Sequence, residues 1–305
     1  MKYLKYFENS AIIGEGVEVN LPNVSYLEDS NVLFVPGNEG TSTVKYNSTT
    51  GEIEADTNPD YSTMYLTFEA IESGTFSFTN DISYSLDEGE TWTTLNANTN
   101  SPTVTAGNSI MWKGNFTPQG NESIGTFSAT GNFNAYGNVM SLLYGDNFVG
   151  QTDLTGKDWA FALLFLENAQ IINAQNLILP ATTLASYCYS NMFFDCTSLT
   201  TAPALPATTL ANSCYQEMFY SCTSLTTAPA LSATTLVNSC YYYMFNGCTS
   251  LEEITCFATN ITASNCIQNW VEGVSSTGTF KKNSAMSSWT TGVNGIPSGW
   301  TVVDA

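Results

Sequence analysis

The stretch that decides the fold is "MFFDCTSLTTAPALPATTLANSC", Met192 to Cys214, which recurs almost unchanged as "MFYSCTSLTTAPALSATTLVNSC" from Met218 to Cys240. The two copies start 26 residues apart. A unit of this length cannot bury its own apolar side chains, so neighbouring copies must stack on each other to form a core. The sequence therefore predicts an array of stacked repeats.

Sulfur-bearing residues set the register of this array. They recur every 26 residues in three columns, which contain Cys188, Cys214, Cys240 and Cys266; Cys196, Cys222 and Cys248; and Met192, Met218 and Met244, followed by Trp270. An earlier copy from Ala160 is two residues longer and carries Leu164, Phe165 and Ile171 where the next copy has Met192, Phe193 and Leu199. About four repeats thus span residues 157–262.

The repeat motif, Phe-x-x-Cys-Thr-Ser-Leu-Thr followed by Leu-Pro-Ala-Thr-Thr-Leu, resembles the BspA-like leucine-rich repeat. Repeats of this family occur in bacterial surface proteins and in phage and prophage proteins of gut bacteria. The resemblance covers the last half of the chain, and the period of 26 lies within the range of leucine-rich repeats, about 20 to 29 residues. It implies a short solenoid with a binding role, since adhesins of the family bind host surfaces or glycans.

Within each repeat we expect one helix. In "LASYCYSNMFFDC", Cys188 and Met192 are four residues apart, and so are Tyr189 and Phe193, with Cys196 continuing the series. This spacing places the apolar side chains on one helical face.

A strand is expected to follow, with Leu199, Ala202 and Ala204 inward, and with Leu251, Ile254 and Cys256 in the same slots of the last copy. Pro203 and Pro229 each remove a backbone donor, which predicts short strands with an irregular edge.

All eight cysteines lie between residues 188 and 266. On one helix, Cys188 and Cys196 would be about 12 Å apart, too far for a disulfide, whereas bridges between neighbouring repeats stay open. We expect free thiols that fill small buried slots, because free cysteine behaves as a small apolar residue. Metal binding is disfavoured because the close cysteine pairs or histidines of zinc sites are missing.

Composition excludes several functions. The chain has seven lysines, no arginine, no histidine and a formal charge of −20. Without histidine there is neither a Ser-His-Asp arrangement nor a histidine-bound metal, and without arginine there is no bidentate clamp on phosphate or carboxylate. The negative charge opposes nucleic-acid binding. The longest apolar run, "WAFALLFL", is too short to insert into a membrane.

The first half follows another pattern. Short β-type runs alternate with Gly, Asn and Asp every 8 to 12 residues from Met64 to Tyr144, which predicts an antiparallel β-sandwich over 61–150. Residues 1–60, with a pair of strands in "VEVNLPNVSYLEDSNVLFVP", are expected to dock on a partner, and residues 263–305 to cap the repeats. The expected fold is multidomain: mainly β with α/β repeats, comprising an N-terminal β segment, a sandwich and a short leucine-rich-repeat solenoid with its cap.

"SLDEGETW", Ser85 to Trp92, fits the Asp-box of sialidase-like propellers, where the motif stabilises a hairpin turn. Asp87 would cap backbone amides, Gly89 would adopt an unusual dihedral angle and Trp92 would pack beneath. The chain has one copy and no arginine for a substrate carboxylate, so we expect a plain hairpin.

"EIEADTNPD" places acidic and amide side chains at every second position. Asp56, Asn58 and Asp60 match the opening of a calcium loop, although Tyr61 replaces the turn glycine and Thr67 the closing glutamate. The alternative is a solvated acidic strand or linker. Apart from this calcium candidate we expect no cofactor.

Stacked repeats align their outward residues into stripes. The candidate ligand-binding stripe consists of Thr200, Thr201, Thr226, Thr227, Glu252 and Glu253. The alternative is that these threonines are ordinary strand residues that face water. A second stripe, Phe194, Tyr220 and Tyr241 to Tyr243, offers rings for stacking on sugars or, alternatively, belongs to the core.

The resemblance implies a phage fibre or decoration protein at the virion surface. We expect this protein to be non-enzymatic, because no spacing pairs the carboxylates for catalysis. The start of the chain lacks the apolar core of a secretory signal, so we expect assembly in the host cytoplasm. Expected partners are other virion proteins, through residues 1–60, and a bacterial surface protein or glycan, with a homo-oligomer as the assembly. The alternatives are a bacterial cell-surface adhesin and a purely structural capsid decoration protein.

Overall fold

The structure, a computed structural model, describes residues 60–118, 120 and 122–305, and within residues 1–59 the backbone of six strands. The chain divides into two compact units, Met1–Asp60 and Tyr61–Ala305. Strands prevail in both, and the one α-helix of the described residues is the single turn Ser141–Tyr144, called α1. The prediction of a mainly β fold is confirmed.

The first unit contains two antiparallel sheets of three strands. Their strands are β1 (Leu4–Phe7), β2 (Ser10–Ile13) and β3 (Val17–Val19), and β4 (Leu33–Val35), β5 (Ser42–Tyr46) and β6 (Ile53–Asp56). The pair of strands predicted between Val17 and Pro36 is present as β3 and β4, which belong to different sheets.

The second unit begins with a large sheet. Its strands are β7 (Leu66–Ala70), β9 (Ile82–Ser85), β10 (Thr93–Leu95), β11 (Ser109–Lys113) and β13 (Phe133–Asn138), in the antiparallel order β10-β9-β11-β7-β13; β8 (Phe76–Phe78) and β12 (Phe127–Ala129) form a separate antiparallel pair. Two short 3-10 turns, Tyr61–Thr63 and Gly145–Asn147, flank this region.

Aromatic side chains fill the space between these two sheets. Along β11 the buried residues Ile110 and Trp112 alternate with half-buried ones, as expected for a strand with one face in the core. Phe127 of the short pair lies 5.1 Å from Trp112 and 4.9 Å from Phe68 of the large sheet, measured between ring centroids. The short pair therefore packs on the large sheet as a second layer of two strands.

The large sheet continues into the repeats. Strand β13 pairs in parallel with β14 (Ile171–Asn173) and β15 (Leu177–Ile178), both of which belong to the first repeat. The amide of Phe133 also donates to the carbonyl of Gln170 at 3.0 Å. Since the first repeat would otherwise leave backbone groups unpaired, β13 caps the array at this end.

The predicted helices are wrong. The corresponding segments are five runs of consecutive turns, called turn runs, at residues 158–167, 186–195, 212–221, 238–247 and 264–273. Every fourth residue of a run has a positive φ, as in Tyr187 (57°), Asn191 (56°) and Asp195 (56°), which an α-helix does not contain.

Backbone hydrogen bonds within a turn run alternate between two kinds. The amide of Ser190 closes a turn on the carbonyl of Tyr187 at 3.0 Å, whereas the next amide along the chain, that of Asn191, donates to Gln216 of the following repeat at 2.9 Å. Five such amides connect each run to the next, and the two kinds together satisfy the donors of the run.

This geometry explains the four-residue spacing. The large side chains of successive turns are buried in pairs, Cys188 with Tyr189 and then Met192 with Phe193, and Asn191, at positive φ, lies between the two pairs. A period of four is too close to the helical period of 3.6 for the apolar spacing alone to distinguish them.

The opposite side of each repeat is a parallel strand or a single bridge. Between β14 and β16 (Glu253–Cys256) the strands shrink to isolated bridges, Asn173 with Thr201 and Thr227 with Glu253, and beyond β16 the sheet resumes in β17 (Thr279–Lys282) and β18 (Thr301–Asp304). Pro203 and Pro229 lie in the interrupted copies, in agreement with the predicted irregular edge.

The inward slots of these strands differ between copies. In the last copy Leu251, Ile254 and Cys256 are buried as predicted. In the second copy Leu199 is buried, but Ala204 is exposed and Pro203 is buried, so the predicted slots are wrong there. From Pro203 onward burial alternates regularly, with Leu205 and Ala207 buried and Ala204 and Pro206 exposed, so the alternation is shifted by one residue from the prediction.

Candidate functional site

The stack brings the predicted ligand-binding residues into one stripe, called the first threonine stripe. Thr200, Thr226, Thr227 and Glu252 are exposed, whereas Thr201 and Glu253 are half-buried. Backbone bonds fix the rows: the amide of Thr200 donates to Ile172 at 2.8 Å, and that of Glu252 donates to Thr226 at 2.9 Å. The stripe is therefore a polar surface on the sheet side of the repeats.

The two glutamates of this stripe differ. The carboxylate of Glu253 forms an ion pair with the ammonium of Lys281 in β17 at 2.8 Å, and both side chains are more than one third exposed. Glu252, beside it, is exposed. A ligand on this stripe would therefore meet hydroxyls and one unshielded carboxylate rather than a pair of equivalent acids.

A second threonine stripe lies elsewhere on each repeat, and the sequence analysis missed it. It consists of exposed residues, which are Thr182, Thr183, Thr208, Thr209, Thr234 and Thr235. Parallel bridges join Asp153 to Thr183 and Thr183 to Thr209. The signal was available, because Ala-Thr-Thr-Leu recurs with the same period of 26 from Ala181 onward, and the alanines of this motif are buried.

The candidate aromatic stripe is a ladder of rings that stack on each other. Phe194 and Tyr220 are parallel within 4° at a centroid distance of 4.6 Å, and Tyr220 lies 6.4 Å from Tyr243. Tyr241 is buried in the core. Because neighbouring rings cover each other's faces, the ladder stabilises the stack and offers mainly ring edges to a ligand.

All eight cysteines are free and buried, as predicted. None of them lies on a helix: Cys188, Cys214, Cys240 and Cys266 are in turn runs, Cys196, Cys222 and Cys248 directly follow a run, and Cys256 ends β16. One column donates its thiols to carbonyls of the preceding repeat: Cys196 to Phe165 at 3.0 Å, Cys222 to Phe193 at 3.1 Å and Cys248 to Phe219 at 3.0 Å. Burial raises the pKa of the Cys248 thiol to about 12. These cysteines are protonated structural donors and not nucleophiles.

The hairpin predicted from the Asp-box is confirmed by its geometry. Asp87 accepts the amide of Thr91 at 2.9 Å and the hydroxyl of Ser85 at 2.7 Å, and Gly89 has a φ of +90°. These bonds, led by that of the Thr91 hydroxyl, lower the pKa of Asp87 to about 2. Trp92 packs under the turn against Tyr65 at 4.8 Å between ring centroids.

Most of the calcium candidate lies outside the described residues. Asn58 and the side chain of Asp56 lie outside the described residues, and Asp60 is exposed. In the part of the chain that the structure describes, no three acidic or cysteine side chains are grouped so that they could hold a metal ion. Likewise, none of the described helices has the length and hydropathy needed to cross a membrane.

Comparisons with known proteins found no matching family model, no matching curated protein and no matching solved structure. Functional inference for this chain therefore rests on its residues and their geometry.

Proposed function

We propose that the chain is a non-enzymatic recognition protein of a virion surface, in which the stacked repeats form a leucine-rich-repeat solenoid that contacts a bacterial surface protein or glycan. The first threonine stripe carries this proposal. Equivalent exposed side chains repeat along it at the spacing of the stack, which gives a partner a broad and regular surface. In this proposal residues 1–60 attach the protein to other virion proteins, and the particle presents several copies.

The non-enzymatic part of the proposal is supported by chemistry. The chain contains no histidine and no arginine, and the thiols that would be the strongest remaining nucleophiles are buried and protonated. In the first threonine stripe the carboxylate of Glu253 is in an ion pair with Lys281. In this proposal the surface binds a partner and does not catalyse a reaction.

A structural decoration protein is the second candidate, and the end of the stack favours it. Among the described residues, strand β18 pairs only with β17, and Val302 and Val303 are 43% and 39% exposed. An edge strand with exposed apolar side chains is a surface on which a neighbouring protein can add a strand. The same repeats would also serve a cell-surface adhesin, which flanking secretion genes would distinguish from flanking capsid or tail genes.

The test is retention of the full chain on intact gut-bacterial cells and on immobilised glycans from their surfaces. We expect retention on at least one cell type and its loss in the triple variant Thr200→Ala, Thr226→Ala, Glu252→Gln. The matched control is the triple variant Thr182→Ala, Thr208→Ala, Thr234→Ala, which truncates exposed residues of the second threonine stripe. No retention on any cell type would contradict the proposal and favour decoration. Equal loss in both variants would contradict the first stripe as the contact surface.

A further inference from the structure

A polar cavity of about 490 Å³ opens where the chain leaves β11. Its walls are the start of β9 on one side, the segment that follows Lys113 at the base, and the residues after α1 on the other. The volume lies within the range of about 300 to 1,000 Å³ in which small-molecule sites fall. It is called here the β11 cavity, and it is separate from both threonine stripes.

Backbone, and not mobile side chains, shapes the base of the β11 cavity. The amide of Gly114 donates to Ser141 at 3.0 Å and that of Phe116 donates to Leu142 at 3.1 Å, which holds this segment against α1. A Cβ on Gly114 would lie 2.6 Å from the Phe116 ring, and one on Gly145, at φ +52°, would lie 2.8 Å from Asn115 Oδ1. The cavity is therefore formed before any ligand arrives.

One wall carries a charge cluster that is already fixed. The Lys113 ammonium lies 2.7 Å from Asp146 Oδ1 and 4.2 Å from the centroid of the Trp92 ring. The same Asp146 oxygen accepts the hydroxyl of Tyr65 at 2.8 Å. The Asp146 side chain nevertheless remains 65% exposed. Lys113 thus orients a carboxylate that still faces the cavity and solvent.

The remaining lining combines hydrogen-bond donors with acceptors. The carboxylates of Asp81 and Asp146 accept hydrogen bonds. The hydroxyls of Ser83 and Thr94 and the side-chain amide of Asn115 can each donate and accept. The half-buried rings of Phe116 and Tyr144 complete the wall. Two carboxylates against one ammonium leave a net negative lining, which disfavours phosphates and acidic sugars.

We propose that the β11 cavity binds a neutral sugar residue. Sugar hydroxyls both donate and accept hydrogen bonds, so they fit a lining that mixes carboxylates, hydroxyls and an amide, while the carbon face of the ring packs on an aromatic side chain. A divalent cation fits less well, because the ammonium of Lys113 already lies on Asp146. The proposal names a glycan site outside the repeats and does not depend on the first threonine stripe.

The test uses the full chain and neutral probes: the methyl glycosides of glucose, galactose, mannose and N-acetylglucosamine, and short oligomers of each. Binding is measured by saturation-transfer NMR and by calorimetry. We expect binding of at least one probe and a loss of affinity of roughly 5- to 30-fold in Thr94→Val and in Asp81→Asn, the loss expected for one hydrogen bond of a sugar hydroxyl. Asp81→Asn keeps an oxygen for the amide of Ala97, which Asp81 accepts at 2.8 Å, so the fold is preserved.

The matched control is Thr103→Val, at an exposed threonine outside the cavity, which should bind like the unchanged chain. Absence of saturation transfer from every neutral probe at millimolar concentration would overturn the proposal, and so would equal losses in Thr94→Val and Thr103→Val. Binding of calcium or inorganic phosphate in place of the sugars would overturn the assigned ligand class. The triple variant of the first threonine stripe, measured with the same probes, should retain affinity, which separates this site from the proposed surface contact.

Discussion

At the scale of single residues, the cysteines are the most specific choice in the chain. A thiol is small enough for the close stacking of the repeats and still donates to a carbonyl of the neighbouring repeat, as Cys222, directly after a turn run, does to Phe193. An alanine would lose the donor, and a valine would lose it and add volume to a packed core. The column is therefore a set of weak hydrogen bonds repeated in register between repeats.

Because these thiols are buried, the stability of the protein should fall at alkaline pH. Burial raises the pKa of Cys188, Cys248 and Cys256 to about 12, whereas an unfolded thiol titrates near about 8.5. Between these values only the unfolded chain releases the protons, so the free energy of unfolding decreases as pH rises, by up to about 1.4 kcal/mol per pH unit for each thiol.

Urea unfolding at a series of pH values above about 8 measures this slope. Cys248→Ala should be less stable at neutral pH, by about 1–3 kcal/mol, and should show a shallower decrease with pH than the unchanged chain. Thr234→Ala, at an exposed position, serves as the control with an unchanged slope. A free energy of unfolding that stays constant up to about pH 11 would contradict the burial of the thiols.

Asp87 should stabilise the hairpin between β9 and β10 only while it is ionised. Its pKa is lowered to about 2 by the hydrogen bonds from Thr91 and Ser85, so its contribution is complete above about pH 4 and is lost as pH falls through 2. We expect Asp87→Asn to lower the melting temperature at neutral pH and to differ less from the unchanged chain near pH 2. Glu90→Gln, at an exposed position of the same turn, is the control. An equal difference at both pH values would show that charge is not involved.

At the scale of elements, the repeats show what the sequence allows and what it hides. The register was readable, because identical residues recur every 26 positions, and Phe165 stacks on Phe193 at 5.2 Å as the longer first copy predicted. The turn runs were not recognised, because their apolar period of four matches that of a helix. The signal that was missed is the presence of Asn, Asp and Gly at every fourth position of several runs, because these residues tolerate positive φ better than others. They are Asn191, Asp195, Gly247, Asn265 and Asn269.

The candidate sites divide in the same way. The first threonine stripe repeats along the sequence, so the 26-residue period revealed it. The β11 cavity combines Asp81, Asn115 and Asp146, which are far apart in the chain and meet only because β9 and β11 are neighbours in the sheet. No short sequence window contains that arrangement.

Substitutions at Ser221 distinguish a turn run from a helix. Ser221 has a φ of 55°, and the next two repeats carry Gly247 and Gly273 at the same position. We expect Ser221→Gly to leave the free energy of unfolding unchanged or to raise it by up to about 1 kcal/mol, and Ser221→Val to lower it by at least about 1–2 kcal/mol. In a helix the glycine would instead cost about 0.5 kcal/mol.

For comparison, the same two substitutions, to glycine and to valine, are made at Ser224, which is not among the residues with positive φ. There glycine should be the less stable of the two variants, the reverse of the order at Ser221. Chemical denaturation of the four variants gives the measurement. The same order at both positions would contradict the left-handed geometry of the turn runs.

At the scale of the whole molecule, the two ends of the stack are closed differently. The first repeat pairs with β13, so the large sheet and the repeats share one backbone ladder and the core is continuous through Phe127 and Phe165, whose centroids are 6.0 Å apart. At the other end Trp270 stacks on Trp289 at 5.9 Å and donates to Gly295 at 2.8 Å. The inner repeats touch mainly their neighbours, so they should be individually removable.

Deleting Met192–Glu217 removes one complete period of 26 residues and joins Asn191 to Met218. Each column of the stack then loses one member and stays in register, with Phe165 facing Phe219 and the thiol of Cys222 facing the carbonyl of Phe165. The shortened chain should fold, unfold cooperatively and lose stability, because one interface of five backbone bonds and its buried rings is gone. Deleting Met192–Ala204, half a period, places the exposed residues Pro206 and Thr209 in the core slots of Phe193 and Cys196, and should prevent folding. Circular dichroism and the unfolding transition of both deletions, at equal concentration, measure the difference. If the complete-period deletion fails to fold while the half-period deletion folds, the repeats are not interchangeable units of one stack.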